Sequence, residues 1–201
     1  MEKSFSQMKL ILEAIDFFCL KYDFQTIFIA PNSDPGSLET LRAAEIYRDK
    51  DWFKFSETLT RDNFVNLMRH ASSLIGNSSM GILEAPHYKL PVINVGVRQR
   101  GRLSAGNVKF VDYQKNEIVD ALKESCLSEE YRTRIKNISN PYGDGSAPTN
   151  IRKFIESIDI QDPKWYTKQG LVISDVQEIT EEDKSSKQQP RKARQQLKID
   201  R

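Results

Sequence analysis

Short apolar runs that alternate with amphipathic helical patterns predict an α/β fold, a parallel sheet with helices on both faces. Three observations carry that expectation. The runs Thr26-Ile27-Phe28-Ile29 and Val92-Ile93-Asn94-Val95 are nearly continuous in apolar residues rather than alternating, as suits strands buried on both faces. Helical spacing of apolar residues fills the intervals between such runs. Turn residues then follow the strand ends, in Pro31-Asn32-Ser33-Asp34-Pro35-Gly36 and in Gly76-Asn77-Ser78-Ser79.

Each element has its own reason. Phe5, Met8, Leu12, Ile15 and Phe18 recur at helical spacing and predict an amphipathic helix over 5–21. The 25–30 run is a buried strand, and a polar helix follows at 37–49. Trp52-Phe53-Lys54-Phe55 reads as the next strand. Thr60 is an N-cap for a helix over 61–70 that carries Phe64, Leu67 and Met68 on one side. Ser73-Leu74-Ile75 is a strand, followed by the small polar turn and a helix. Strands are expected at 91–95 and 108–111, and helices at 115–124, 128–136 and 149–158.

In such a sheet the loops leaving the C-terminal strand ends carry the site. Asn32, Leu59, Ser78, Ser79 and Arg98 fall in or near those loops. Ser78 and Ser79 stand where a helix N-terminus leaves N–H groups unpaired; they suit either a phosphate group or a plain cap. Gly76 and Gly81 flank them and permit close backbone approach. Glu84 suits a ribose diol, or a favourable charge near a helix start. Arg98, Arg100 and Arg102 crowd three guanidinium groups into five residues. They make a phosphate-binding loop or a solvated basic one. Asn32 either contacts a ligand or caps its own turn. His70 and His87 lack neighbours at metal spacing and read as structural or surface residues.

Composition bounds these readings. The 201 residues form one domain of about 1–160 and a charged tail of 161–201, acidic at Glu178–Asp183 and then basic, which reads as a disordered tail or as one that contacts a partner or nucleic acid. A formal net charge of +2 gives no global case for nucleic acid. Cys19 and Cys126 are far apart in sequence and read as buried reduced thiols, which fits a cytoplasmic protein. No apolar run reaches membrane-spanning length.

Four motifs occur in order: Pro31-Asn32-x-Asp34-x-Gly36-Ser37, Ile75-Gly76-Asn77-Ser78-Ser79-x-Gly81-x-x-Glu84-Ala85-Pro86, Pro91-Val92-Ile93-Asn94-x-Gly96-x-Arg98-Gln99-x-Gly101-Arg102 and Asn140-Pro141-Tyr142-Gly143-Asp144-Gly145-Ser146-Ala147. Together they resemble the C-terminal half of UDP-N-acetylglucosamine 2-epimerases, and most of all the hydrolysing type. The resemblance covers about 5–160. It implies a Rossmann-like domain of the two-domain glycosyltransferase-B arrangement that binds UDP or UDP-N-acetylglucosamine. Ser78 and Ser79 would hold the pyrophosphate and Glu84 the ribose. Asn32 and the backbone around Leu59 would lie near the uracil and ribose, and Arg98 beside the nucleotide with Arg102 as a neighbour.

The resemblance further implies an N-terminal domain, absent from this sequence or separately encoded, that supplies the acid and base, and a homo-oligomer. No cofactor, metal, membrane or nucleic-acid partner is expected from the residues. No catalytic residue is assigned to this chain. A non-catalytic UDP-sugar binding module and the C-terminal domain of a glycosyltransferase-B transferase stand as alternatives.

Overall fold

The computed structural model describes residues 2–168. The chain divides into two compact units at Ile151 and Arg152, inside its last long helix. In chain order the elements are α1 (Glu2–Tyr22), β1 (Thr26–Ile29), α2 (Ser37–Glu45), β2 (Phe53–Ser56), α3 (Arg61–His70), β3 (Leu74–Gly76), α4 (Met80–Leu83), β4 (Val92–Val95), β5 (Val108–Val111), α5 (Lys115–Leu127), α6 (Glu129–Lys136) and α7 (Ala147–Ser157). Every strand pairing is parallel. The strands form two hydrogen-bonded groups, β1–β2 and β3–β4–β5.

Beyond Ile151 the second unit contains the end of α7 and one 3-10 turn at Pro163–Trp165, where Trp165 meets Phe154 edge to face. The tail expected over 161–201 lies outside the described residues from 169 onward.

Local chemistry sets several boundaries. Thr60 caps α3 by accepting a hydrogen bond from Asn63 N–H at 3.3 Å, and Ser128 caps α6 by accepting from Tyr131 N–H at 3.2 Å. Trp52 donates to Asp16 Oδ1 at 2.9 Å and so ties the start of β2 to α1. Two buried clusters flank the strands. One packs Leu12, Ile15 and Phe18 of α1 with Ile93, Val95 and Ile118. The other gathers Met68, Ala85, Leu90 and Val92. Successive residues of β4 thus feed opposite clusters, as the two-residue period of a strand requires. Cys19 and Cys126 are buried free thiols, and burial pushes Cys126 up to about 11.

The helix after the Gly76–Ser79 turn is shorter than its sequence implies. It lasts only Met80–Leu83 and passes into a 3-10 turn over Ala85–Tyr88. Pro86, at the start of that turn, has no N–H to continue an α-helix and its ring opposes the preceding one. Glu84 is therefore the C-cap of α4 rather than a charge near a helix start. Gly81 has a specific task here. A Cβ at Gly81 would stand 2.7 Å from Val92 Cγ1, so only glycine lets α4 seat on β4. Gly76 has no such neighbour.

Asn107 closes this corner. Its fully buried amide donates to Gly81 C=O and to Leu90 C=O, both at 3.1 Å. Gly81→Ala is expected to destabilise the first unit by about 1–3 kcal/mol through overpacking against Val92. Urea denaturation checks this; an unchanged midpoint would show that α4 lifts from β4 without cost.

Candidate functional site

The C-terminal strand ends share one edge. Loops leave that edge at Ala30–Gly36, Glu57–Thr60, Asn77–Ser79, Gly96–Gly101 and Asp112–Gln114. A cavity of about 210 Å3 opens there, walled by Ser4, Asp34, Asn77, Arg98 and Tyr113 among others. Arg98 reaches across from the β4 loop to the β1 loop, with Nη1 4.0 Å from Asp34 Oδ2. Both side chains are more than half exposed. Such a pair holds the fold weakly, roughly 0–1 kcal/mol, and the guanidinium remains accessible to an anion.

The Asn77 turn is fixed from beneath by neutral amides. Buried Gln99 donates from Nε2 to Asn77 C=O at 3.0 Å. Asn94 lies opposite Gly76 in the strand register and is fully buried, yet neither its Nδ2 nor its Oδ1 has a hydrogen-bond partner among the described residues. Gln99 Oε1 is unpartnered as well. Tyr113 stands on the same cavity wall as Asn77, and burial pushes its phenol up in pKa, so the hydroxyl stays protonated at neutral pH. Gly96 makes room for that ring. Its φ is +90°, and an added Cβ would stand 2.8 Å from Tyr113 Cε2.

Ser78 and Ser79 follow directly on this turn. Ser78 Oγ accepts from Met80 N–H at 3.3 Å, one residue ahead of the N-cap position held by Ser79. Ser79 makes no side-chain cap bond. A helix of four residues has little macrodipole. The anion-binding capacity of the turn therefore lies in its hydroxyls and first-turn N–H groups.

Glu84 is half-buried and bound by Arg61, with Nη2 2.8 Å from Oε2. That contact also raises the Arg61 pKa above its ordinary value. The other expected residues stand apart from the cavity wall. Asn32 is exposed between the wall residues Pro31 and Asp34. Its side chain makes no hydrogen bond among the described residues; the turn is closed instead by Ser37 N–H donating to Asp34 C=O at 3.1 Å. Leu59 is half-buried just ahead of the Thr60 cap.

Arg102 is exposed and has no ion pair among the described residues, whereas Arg100 is held by Asp112 at 2.8 Å. The Asn140–Ala147 segment lies along the same corner. Asn140 Nδ2 donates to Leu83 C=O at 3.0 Å, and the Tyr142 hydroxyl donates to Leu103 C=O at 2.9 Å. His70 and His87 are both exposed.

Sequence reasoning missed Arg61 and Tyr113, and it quoted Asp34, Asn77, Asn94 and Gln99 in motifs without assigning them a role. The available signal for Asn94 was its place in Val-Ile-Asn-Val, where an amide interrupts an apolar strand. Arg61 carried no such signal, because its partner stands 23 residues away. Gly96→Ala is expected to displace Tyr113 and to shift its tyrosine fluorescence and aromatic NMR signals, while leaving the α1 core signals in place. Unchanged Tyr113 signals would show that the loop absorbs the extra methyl group.

Known proteins bear on this geometry. A family model described as UDP-N-acetylglucosamine 2-epimerase matches residues 2–156. The chain is 34% identical over 155 residues to the polysialic acid biosynthesis protein P7 of Escherichia coli, covering 75% of this chain and 39% of that protein. It is 30% identical over 153 residues to a UDP-N,N'-diacetylbacillosamine 2-epimerase (hydrolyzing) of Legionella pneumophila, covering 76% of this chain and 39% of that one. A UDP co-structure of S. aureus MnaA superposes with a TM-score of 0.62 at 26% identity, over 75% of this chain and 40% of the other.

The chain thus spans about two-fifths of the length of the relatives it matches. Its α/β architecture and parallel pairing agree with the glycosyltransferase-B-like fold of these neighbours. By the extent of the family match and by its relatives, the chain belongs to the UDP-N-acetylglucosamine 2-epimerase family.

Proposed function

We propose that this chain is the UDP-binding half of a hydrolysing UDP-N-acetylglucosamine 2-epimerase, working in sialic-acid-like sugar biosynthesis in the cytoplasm. The observation that carries the reading is the Asn77–Ser79 turn, braced by Gln99 and standing beside the accessible Arg98. In this reading Ser78, Ser79 and the first-turn N–H groups take the pyrophosphate. Arg98 exchanges Asp34 for phosphate oxygens, and Glu84, oriented by Arg61, takes the ribose hydroxyls. Asn32 and Leu59 border the uracil and ribose, and Arg102 adds positive charge. No cofactor is required.

The family reaction, elimination of UDP followed by water addition, needs an acid and a base at the sugar. The titratable groups on the cavity wall are Asp34, Arg98 and Tyr113. Asp34 faces Arg98, and Tyr113 is held protonated, so these groups serve binding better than proton transfer. A separate N-terminal domain is the source of the acid and base in this reading. The same wall favours the second reading, a UDP-sugar binding module without activity of its own.

Calorimetric titration with UDP and with UDP-N-acetylglucosamine, assayed together for free UDP, separates these readings. Binding without turnover by the chain alone, and turnover after an N-terminal domain is added, is the outcome expected of the enzyme half. Binding that never leads to turnover supports the module, and absence of binding removes the site assignment.

Ser79→Ala is expected to weaken UDP binding by about 1.5–3 kcal/mol, the worth of a hydrogen bond to a charged group. Stability should be unchanged, because the Ser79 side chain caps nothing. Arg98→Ala is expected to weaken binding by an amount that shrinks as salt rises. A salt-independent loss would assign Arg98 to folding instead.

A further inference from the structure

One turn of the chain reaches two separate parts of the candidate site. It starts at Asn140, in the connection between α6 and α7. Joining two helices does not require contact with α4 or with the loop after β4. Yet two side chains of the turn hydrogen-bond residues 57 and 39 positions away in the chain.

Local chemistry makes the turn stiff. Asn140 C=O accepts from Gly143 N–H at 3.3 Å, which closes a turn with Pro141 in its second position. Proline presets the backbone angle needed there. Asn140 Oδ1 accepts from Tyr142 N–H at 3.0 Å, so the side chain is tied to the turn it begins.

Asn140 Nδ2 then donates to Leu83 C=O at 3.0 Å. That carbonyl loses its helical partner where α4 gives way to the 3-10 turn. Pro86 has no N–H to offer, and His87 N–H donates to Glu84 C=O instead. Glu84 follows Leu83 directly. It is therefore held from two sides, at its carboxylate by Arg61 and through the adjoining peptide by Asn140.

On the other side the Tyr142 hydroxyl donates to Leu103 C=O at 2.9 Å. Leu103 follows Arg102 in the loop after β4. The inner end of this stretch is anchored too. Buried Gln99 grips Asn77 C=O, and its own C=O accepts from Arg102 N–H at 3.4 Å. Arg102 thus stands between fixed points at Gln99 and Leu103, with an exposed side chain that has no ion pair among the described residues. Two exposed hydrogen bonds add only modestly to stability. What they fix is the placing of two distant segments against one turn.

We propose that Asn140 and Tyr142 are positioning residues of the nucleotide site, an assignment that rests on the UDP reading. Asn140 sets Glu84 for the ribose hydroxyls, and Tyr142 sets Arg102 for the phosphate oxygens. Asn140 spends both ends of its amide on the protein, and Tyr142 spends its hydroxyl proton there. They therefore act through Glu84 and Arg102 rather than on the ligand.

Calorimetric titration of the full chain with UDP and with 2′-deoxy-UDP tests this, in the unaltered sequence and in Asn140→Ser, Tyr142→Phe, Arg102→Ala and the Tyr142→Phe, Arg102→Ala double variant. Serine can still accept from Tyr142 N–H but is too short to reach Leu83. The deoxy ligand lacks one of the two hydroxyls assigned to Glu84. Asn140→Ser is expected to cut the preference for UDP over 2′-deoxy-UDP by roughly threefold to tenfold, the worth of one hydrogen bond. A merely structural loss would weaken both ligands alike. Tyr142→Phe is expected to keep that preference and to weaken both ligands. Arg102→Ala should then cost less affinity in the Tyr142→Phe background than in the unaltered chain, because residues that act together are not additive. Urea midpoints report any loss of folding separately.

An unchanged preference in Asn140→Ser would overturn the role of Asn140, and additive losses in the double variant would overturn that of Tyr142. In either case the unaltered chain still binds UDP, so the reading of the site survives. Failure of the unaltered chain to bind UDP removes that reading, and the positioning roles with it.

Discussion

The structure of the first unit turns on β4. Val92–Val95 is buried along its whole length, pairs on both sides, and sends alternate side chains into the two clusters. Burial on both faces is what fixes its register, since a slip by one residue would exchange the contents of the two clusters. The neighbouring features depend on it. Gly81 exists because Val92 is so close, and Gly96 ends the strand where Tyr113 must fit. The loop bearing Arg98 begins where β4 stops.

The site divides its work between two kinds of group. Neutral buried amides hold the backbone: Gln99 grips Asn77 C=O, and Asn107 grips Gly81 C=O and Leu90 C=O. Burying such groups is tolerable only when they are hydrogen-bonded, which makes each of them a positional constraint. The charged groups lie outside this frame. Arg98 with Asp34, and Arg61 with Glu84, are ion pairs with substantial exposure. Water screens them, so they hold the fold weakly and can re-pair with an anionic ligand without loosening the turn beneath. Asn94 differs from Gln99 and Asn107, whose oxygens alone lack partners: both of its polar atoms are unpartnered among the described residues.

The strand edge links architecture to chemistry. The carboxyl ends of parallel strands form the edge at which α/β proteins bind ligands. Two of those ends, after β1 and β3, carry loops that wall the 210 Å3 cavity.

Much of this was determined by sequence alone. Apolar runs and their periods located the strands and long helices, and Thr60 announced the start of α3 through a cap that acts over three residues. The motifs around Ser78, Glu84 and Arg98 identified the family for the same reason: local chemistry is written in neighbouring residues. Only tertiary structure decided that α4 stops after four residues, that Glu84 pairs with Arg61, and that Asn32 leaves its turn to a backbone bond. It alone revealed that the sheet is split between β1 and β3. Those outcomes depend on which distant groups meet, and strand pairing is a relation between segments that neither segment encodes by itself.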